Sequence, residues 1–205
     1  MTPVLRRATA RVTPEAASLI LEAVPSLAAV LGSRATAVRA LEACYRADRT
    51  ELAHRFGLLA EVDGELSGLA IAFPGRLYGT LKLGTGVVMA RAAGPRHVAD
   101  LAQRARILNR MLPGVDRHLL YVSIVAVAPE HRRSGIATAL MDRVISGATR
   151  LGLGVALDVG MSNEPARAMY EGLGFRVVSS REATEGELKL VPVSGMMRME
   201  RALGG

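Results

Sequence analysis

Arg132-Arg133-Ser134-Gly135-Ile136-Ala137 decides the fold through what stands on either side of it. Upstream, Leu119 to Val127 is an apolar run rich in β-branched residues that breaks at Pro129, the pattern of a buried strand with a short exit loop. Downstream, Ile136, Leu140, Val144 and Ala148 recur at helical spacing, with Met141 and Ile145 widening the stripe, so one helix face meets a core. Gly135 therefore stands at a helix entrance. There the first backbone N–H groups lack intrahelical partners and point outward with the positive end of the helix dipole, which suits them to receive a phosphate. Glycine permits close approach of an anion, the small Ala137 keeps the next turn open, and Arg132 and Arg133 add positive charge. Two other phosphate loops are excluded by spacing: no lysine occurs between Lys82 and Lys189, and the three glycines of the dinucleotide fingerprint are missing.

The order of residues further along sharpens the reading. Gly154 to Gly160 contains a second short strand, and Asn163-Glu164-Pro165 opens a helix with Ala166, Met169 and Tyr170 on one side. Gly172 and Gly174 close that helix, and Phe175 leads into another strand. Arg-x-x-Gly-x-Ala at 132–137, then Asn163, then Tyr170-Glu171-Gly172-Leu173-Gly174-Phe175 together resemble the GNAT (Gcn5-related N-acetyltransferase) superfamily, most strongly over residues 118–182. His118-Leu119-Leu120-Tyr121 is more weakly similar to the bacterial branch that includes antibiotic-modifying and other small-molecule acetyltransferases.

The resemblance implies an α/β (α+β) fold: a central, mixed, mostly antiparallel twisted sheet of six to seven strands, splayed at the cofactor-binding strand, with helices on both faces. It implies acetyl-CoA as cosubstrate. The pyrophosphate would lie on the loop amides, here Arg133, Ser134, Gly135, Ile136, Ala137 and Thr138, with Arg132 opening the motif. The main chain of Val125, Ala126 and Val127 would pair with the pantetheine arm, Asn163 would contact that arm, and Tyr170 would lie near the sulfur and protonate the leaving thiolate. No metal belongs to this scheme.

Composition narrows the rest. The 205 residues suit one domain, 1–205, with an inserted segment at about 74–117. No run approaches the roughly 18 apolar residues of a membrane span, and Arg6 and Arg7 precede any long apolar segment, so a cytoplasmic protein is expected. Cys44, the single cysteine, sits in a helical apolar pattern and reads as a buried thiol. Four scattered histidines lack metal-ligand spacing. The net charge of +7 raises nucleic acid as a partner; yet 24 of 26 basic residues are arginine, the excess falls in residues 1–114, and stacking aromatics are few, so a solvated surface is favoured.

In chain order, a strand at Val4 to Ala8 precedes two helices, the first capped by Thr13 with Pro14 in its first turn and the second within Ser33 to Thr50. Asp63-Gly64 between apolar runs marks a hairpin. Gly75, Gly79, Gly84, Gly86 and Gly94 are expected to break the start of the 74–117 segment, ahead of an amphipathic helix from Pro95 to Met111. This segment is open between a lid or one wall of an acceptor pocket, packing on the sheet, and contact with a second subunit in a homodimer. A polar turn to Glu187, a last strand from Leu188 to Met199 and a frayed Leu203-Gly204-Gly205 complete the chain.

The chemistry implied is direct attack of an amine on the thioester carbonyl, with a main-chain N–H near Val125 holding the oxyanion and Tyr170 as general acid. The proton acceptor is open: the central strand offers Tyr121 and Ser123 but no carboxylate, Glu130 lies in the exit loop, Asp158 is better placed to face the site or else is simply a strand residue, and a water chain to solvent is a further route. A noncatalytic acyl-CoA sensor is the second reading and a nucleic-acid binder the third.

Overall fold

Seven strands form one sheet in a computed structural model that describes residues 3–204. They are β1 (Val4–Arg7), β2 (Gly57–Val62), β3 (Glu65–Pro74), β4 (Leu119–Val127), β5 (Gly154–Gly160), β6 (Arg176–Glu182) and β7 (Gly195–Arg201), in the order β1-β2-β3-β4-β5-β7-β6. All neighbours are antiparallel except β4 and β5. That parallel pair needs a crossover, and α6 (Ile136–Arg150) supplies it. The sheet is the mixed, mostly antiparallel one that the resemblance implies, with helices on both faces. Of the tail expected to fray, Gly205 lies outside the described residues.

One face carries α1 (Thr13–Ala23), α3 (Arg34–Arg46) and α4 (Tyr78–Ala93); the other carries α6 and α7 (Glu164–Gly172). Ile136, Leu140, Met141, Val144 and Ala148 of α6 are buried, which is the stripe read from the sequence. Burying an aliphatic side chain of this size contributes about 1.5–3 kcal/mol, so this face alone is enough to dock the helix. A smaller cluster of Val30, Ile107, Met111 and Val191 joins α2 (Ser26–Val30) and α5 (Val98–Met111) to the loop before β7. No helix among the described residues is long and apolar enough to cross a membrane.

Several local expectations change. Thr13 is the first residue of α1 rather than its cap, and its hydroxyl donates to Ala10 O at 2.6 Å. The glycines at 79, 84 and 86 do not break the chain, because they lie inside the 16-residue α4. Gly84 is there for space: a Cβ would come within 1.8 Å of Arg49 O, so a bare backbone lets α4 lie against the loop after α3. The turn to Glu187 is α8 (Glu185–Leu188), closed by a reciprocal cap between Thr184 and Glu187. The last strand begins at Gly195, not Leu188, which ends α8; a Cβ at Gly195 would strike Met161 Sδ and Arg181 O. The hairpin is as read: Asp63 and Gly64 have φ of 53° and 85°, both left-handed as a two-residue type I′ turn requires.

The most consequential irregularity lies in β4. Ile71 pairs with Ile124 but Ala72 pairs with Val122, which leaves Ser123 as an extra residue, a β-bulge. Side chains change faces across it. Leu120 and Val122 join the α6 core, whereas beyond the bulge it is Val125 and Val127 that pack there and Ile124 and Ala126 that turn to α1 and α3. Pairing with β5 ends at the same point, Val122 with Leu157. From Ser123 to Val127 the central strand keeps only β3 beside it.

Candidate active site

The separation of β4 from β5 opens a cleft of about 790 Å³. Val125, Ala126 and Val127 line one wall, and Asn163, Pro165, Ala166, Met169 and Tyr170 the other. Arg132, Arg133, Gly135, Ile136, Ala137 and Thr138 close the end, while Glu22 and Ala23 reach it from the end of α1.

The closing turn is shaped by two left-handed residues, Arg133 at φ 63° and Gly135 at φ 84°. Glycine adopts that conformation without penalty, whereas a residue with a Cβ is held in it at a cost of roughly 1–2 kcal/mol. Nothing lies within 4 Å of the Cβ position at Gly135, so the backbone there is open to an approaching group. Gly135 offers no side-chain cap to α6, and the first helical acceptor is its own carbonyl, which takes the Ala139 N–H at 2.9 Å. The amides of Ile136, Ala137 and Thr138 precede that bond and face the positive pole of a 15-residue helix. Their donors, the dipole and the flanking arginines suit a diphosphate. The edge of β4 beyond Ser123 suits an extended amide-bearing arm, because its main chain has no strand partner on the β5 side.

Each residue expected at the site lines this cleft except Ser134, whose hydroxyl donates to His131 O at 2.6 Å and braces the turn from behind. Asn163 caps α7, its Oδ1 accepting from Ala166 N at 3.2 Å, while also facing the cleft. Tyr170 is buried with its ring edge-on to Phe175 at 5.8 Å, and desolvation pushes its phenol up to about 12. His131, Met169, Glu22 and Ala23 also line the cleft. The α1 residues carry no local motif that would place them there.

Asp158 faces a different partner from the one its sequence position suggests. Arg198 stands opposite it on β7 and donates from Nε and Nη2 to its two oxygens, each at 2.9 Å. Tyr121 Oη donates to the same carboxylate at 2.9 Å, and both ion-pair side chains are 3% exposed. Arg198 further donates to the carbonyls of Pro113 and Gly114. The carboxylate thus accepts three hydrogen bonds and pairs with a buried guanidinium, the arrangement of a structural pin.

Beside it, on the α4 face, lies a group the sequence did not indicate. Glu51 sits in the loop after α3, half-buried, with its N–H donating to Thr85 Oγ1 at 2.9 Å and its carbonyl accepting from Ser123 Oγ at 2.7 Å. Burial pushes its carboxyl up to about 7; the Asp158 charge adds to this, while Lys82 and the Thr85 hydroxyl oppose it. Lys82 donates to Tyr78 Oη at 2.9 Å, and burial lowers its own pKa.

A sequence model of the Acetyltransferase (GNAT) family matches residues 32–175, from just before α3 to the end of the Tyr170–Phe175 motif. The chain belongs to the GNAT acetyltransferase family. The turn into α6 and the Tyr170–Phe175 stretch, both within the matched residues, border the cleft at the β4–β5 separation. This GNAT chain is also 41% identical over 66 residues to mouse cysteine-rich protein 2-binding protein, a stretch covering 32% of the chain but only 8% of that relative. Among solved structures, an N-acetyltransferase from Staphylococcus aureus Mu50 superposes with a TM-score of 0.73 at 16% identity, over 96% of this chain and 99% of the other. Another acetyltransferase gives 0.70 at 18% identity, over 98% and 99%. These superpositions speak for the fold.

Proposed function

We propose that this GNAT chain is an acetyl-CoA-dependent N-acetyltransferase that moves an acetyl group to an amine of a small molecule or peptide by direct attack in a ternary complex. The observation carrying this reading is that three features converge on one cleft: the Ser123 bulge, the end of β4–β5 pairing, and the left-handed turn into α6. Acetyl-CoA supplies the activated thioester. The amides of residues 133–138 would hold its diphosphate, with Arg132 alongside. The main chain of Val125 to Val127 and the side chain of Asn163 would hold its arm. A β4 N–H near Val125 would face the carbonyl oxygen as charge develops on it, a fixed dipole that needs no reorganisation.

Tyr170 is the general acid in this scheme. A phenol near 12 against a thiol reference near 8.5 makes proton transfer uphill by about 5 kcal/mol if only the phenol is desolvated. A thiolate formed in the same apolar surroundings is destabilised by the same burial, which narrows the gap. The residue is well placed for the role: it lines the cleft, and no protein hydrogen bond engages its hydroxyl among the described residues. We read residues 1–205 as one catalytic domain, with 74–117 as an insertion whose helix α4 packs on the α1–α3 face of the sheet.

Thiol release from acetyl-CoA over a panel of primary amines and short peptides tests the reading. Tyr170→Phe should lower turnover about tenfold or more while leaving the acetyl-CoA dissociation constant within about twofold. Unchanged turnover would remove the acid role.

A further inference from the structure

We propose that Glu51 takes the proton from the attacking amine, directly or through one water. The inference rests on the transferase reading above. It begins with elimination among the carboxylates around the β4–β5 separation. Asp158 is held at both oxygens by Arg198 and by Tyr121. Glu22, at the far rim of the cleft, pairs with Arg34 at 3.0 Å. Glu130 stands exposed in the exit turn near the phosphate end. Glu51 and Glu130 form no ion pair within 4 Å among the described residues, and of the two only Glu51 is half-buried.

Its placement is fixed from two sides. The Ser123 hydroxyl, on the bulge residue itself, donates to the Glu51 carbonyl at 2.7 Å and more weakly to Ile71 O at 3.4 Å. Thr85, buried in α4, accepts from the Glu51 N–H at 2.9 Å while donating to Leu81 O at 3.0 Å. Glu51 is thereby fastened to the point where β4 leaves β5, two residues before the strand segment assigned to the arm of acetyl-CoA. The charged and titratable groups around it are Cys44 on α3, Tyr78 and Lys82 on α4, Tyr121 on β4 and Asp158 on β5. Lys82 favours the carboxylate and Asp158 disfavours it, and burial leaves the group able to exchange a proton near neutral pH.

The step balances as follows. The amine nitrogen forms a bond to the acetyl carbon, the carbon–sulfur bond breaks, and the proton lost from nitrogen goes to the Glu51 carboxylate. The thiolate takes the Tyr170 proton. Glu51 and Tyr170 then exchange these protons with solvent.

The test compares wild type, Glu51→Gln and Glu51→Asp, using acetyl-CoA and whichever panel amine the wild type acetylates fastest. Acetyl-CoA affinity is measured separately by calorimetry. Glu51 must be ionised to act, so wild-type kcat/KM should rise with pH through about 7. Glu51→Gln should lose about 10²-fold or more in kcat and lose that rise, with acetyl-CoA affinity within about twofold. Glu51→Asp, which keeps a carboxylate, should restore part of the rate and the pH-dependent rise; a folding defect in the Gln variant would not be relieved in this pH-dependent way. Wild-type kcat and an unaltered pH profile in Glu51→Gln would overturn the assignment to Glu51 and leave the transferase reading intact. Failure of wild type to bind acetyl-CoA would instead overturn the reading on which it rests.

Discussion

The Ser123 hydroxyl donates to the Glu51 carbonyl at 2.7 Å, tying the loop after α3 to the bulge of the central strand across 72 residues of sequence. That contact holds the half-buried Glu51 beside the bulge, and burial of its carboxyl gives it a signature in stability. Its carboxyl is raised from 4.5 to about 7 on folding, so between those values the native state binds more protons than the unfolded chain. Stability from this group is therefore greatest below about pH 4.5 and declines as pH rises through 7, by about 3 kcal/mol at most. Urea unfolding at about pH 5 and pH 8 should show wild type losing more stability than Glu51→Gln over that interval. Parallel losses in the two proteins would mean that Glu51 does not titrate in that window.

Gly84 and Gly86 make a matched pair inside α4. A Cβ at 84 meets the Arg49 carbonyl at 1.8 Å, whereas at 86 nothing lies within 4 Å. Gly84→Ala should destabilise by about 1–3 kcal/mol, and Gly86→Ala should stabilise by about 0.5–1 kcal/mol through helix propensity. Equal effects of the two substitutions in urea melts would contradict the close approach of α4 to the loop at Arg49.

The Arg198 and Asp158 side chains are each 3% exposed, and the guanidinium neutralises the carboxylate. Removing it with Arg198→Met leaves a buried carboxylate unpaired and should cost about 3–5 kcal/mol. The double variant Arg198→Met/Asp158→Leu, which removes both charges, should recover much of that loss. Chemical denaturation of the two variants distinguishes a structural pin from a surface-like pair, for which the single change would cost under about 1 kcal/mol.

Gly135→Ala forces a Cβ into a left-handed φ of 84° at the entrance of α6. The expected result is a stability loss of about 1 kcal/mol together with a CoA dissociation constant raised about tenfold or more, because the amides behind it are re-aimed. A change in stability with unchanged CoA affinity would separate this turn from binding.

What the sequence made legible was periodic or tied to a motif. The α6 stripe, the Asp63-Gly64 hairpin and the turn ahead of Ile136 all follow from local spacing, and most of the cleft-lining residues fall on the stretches that carry the family pattern. The Ser123 bulge was hidden because Val122, Ile124, Val125 and Val127 are all apolar, so a change of faces leaves no trace in the alternation. Helix α4 was hidden because its glycines read as breakers, while tertiary contact with the Arg49 loop is what makes Gly84 fit. Asp158 looked free because its partner sits on β7, a strand whose start the sequence placed seven residues too early. Glu51 belongs to a loop with no motif of its own, and long-range hydrogen bonds from α4 and β4 hold its backbone beside the Ser123 bulge.

The central claim is that amides at the α6 entrance and along the free edge of β4 receive a coenzyme. Backbone amide NMR during titration with CoA reads both sets directly. Saturable shifts are expected to concentrate at residues 133–138 and 125–127, with the largest at Gly135, Ile136 and Ala137. Saturating CoA that leaves those amides unmoved, or that shifts a different surface, would contradict it.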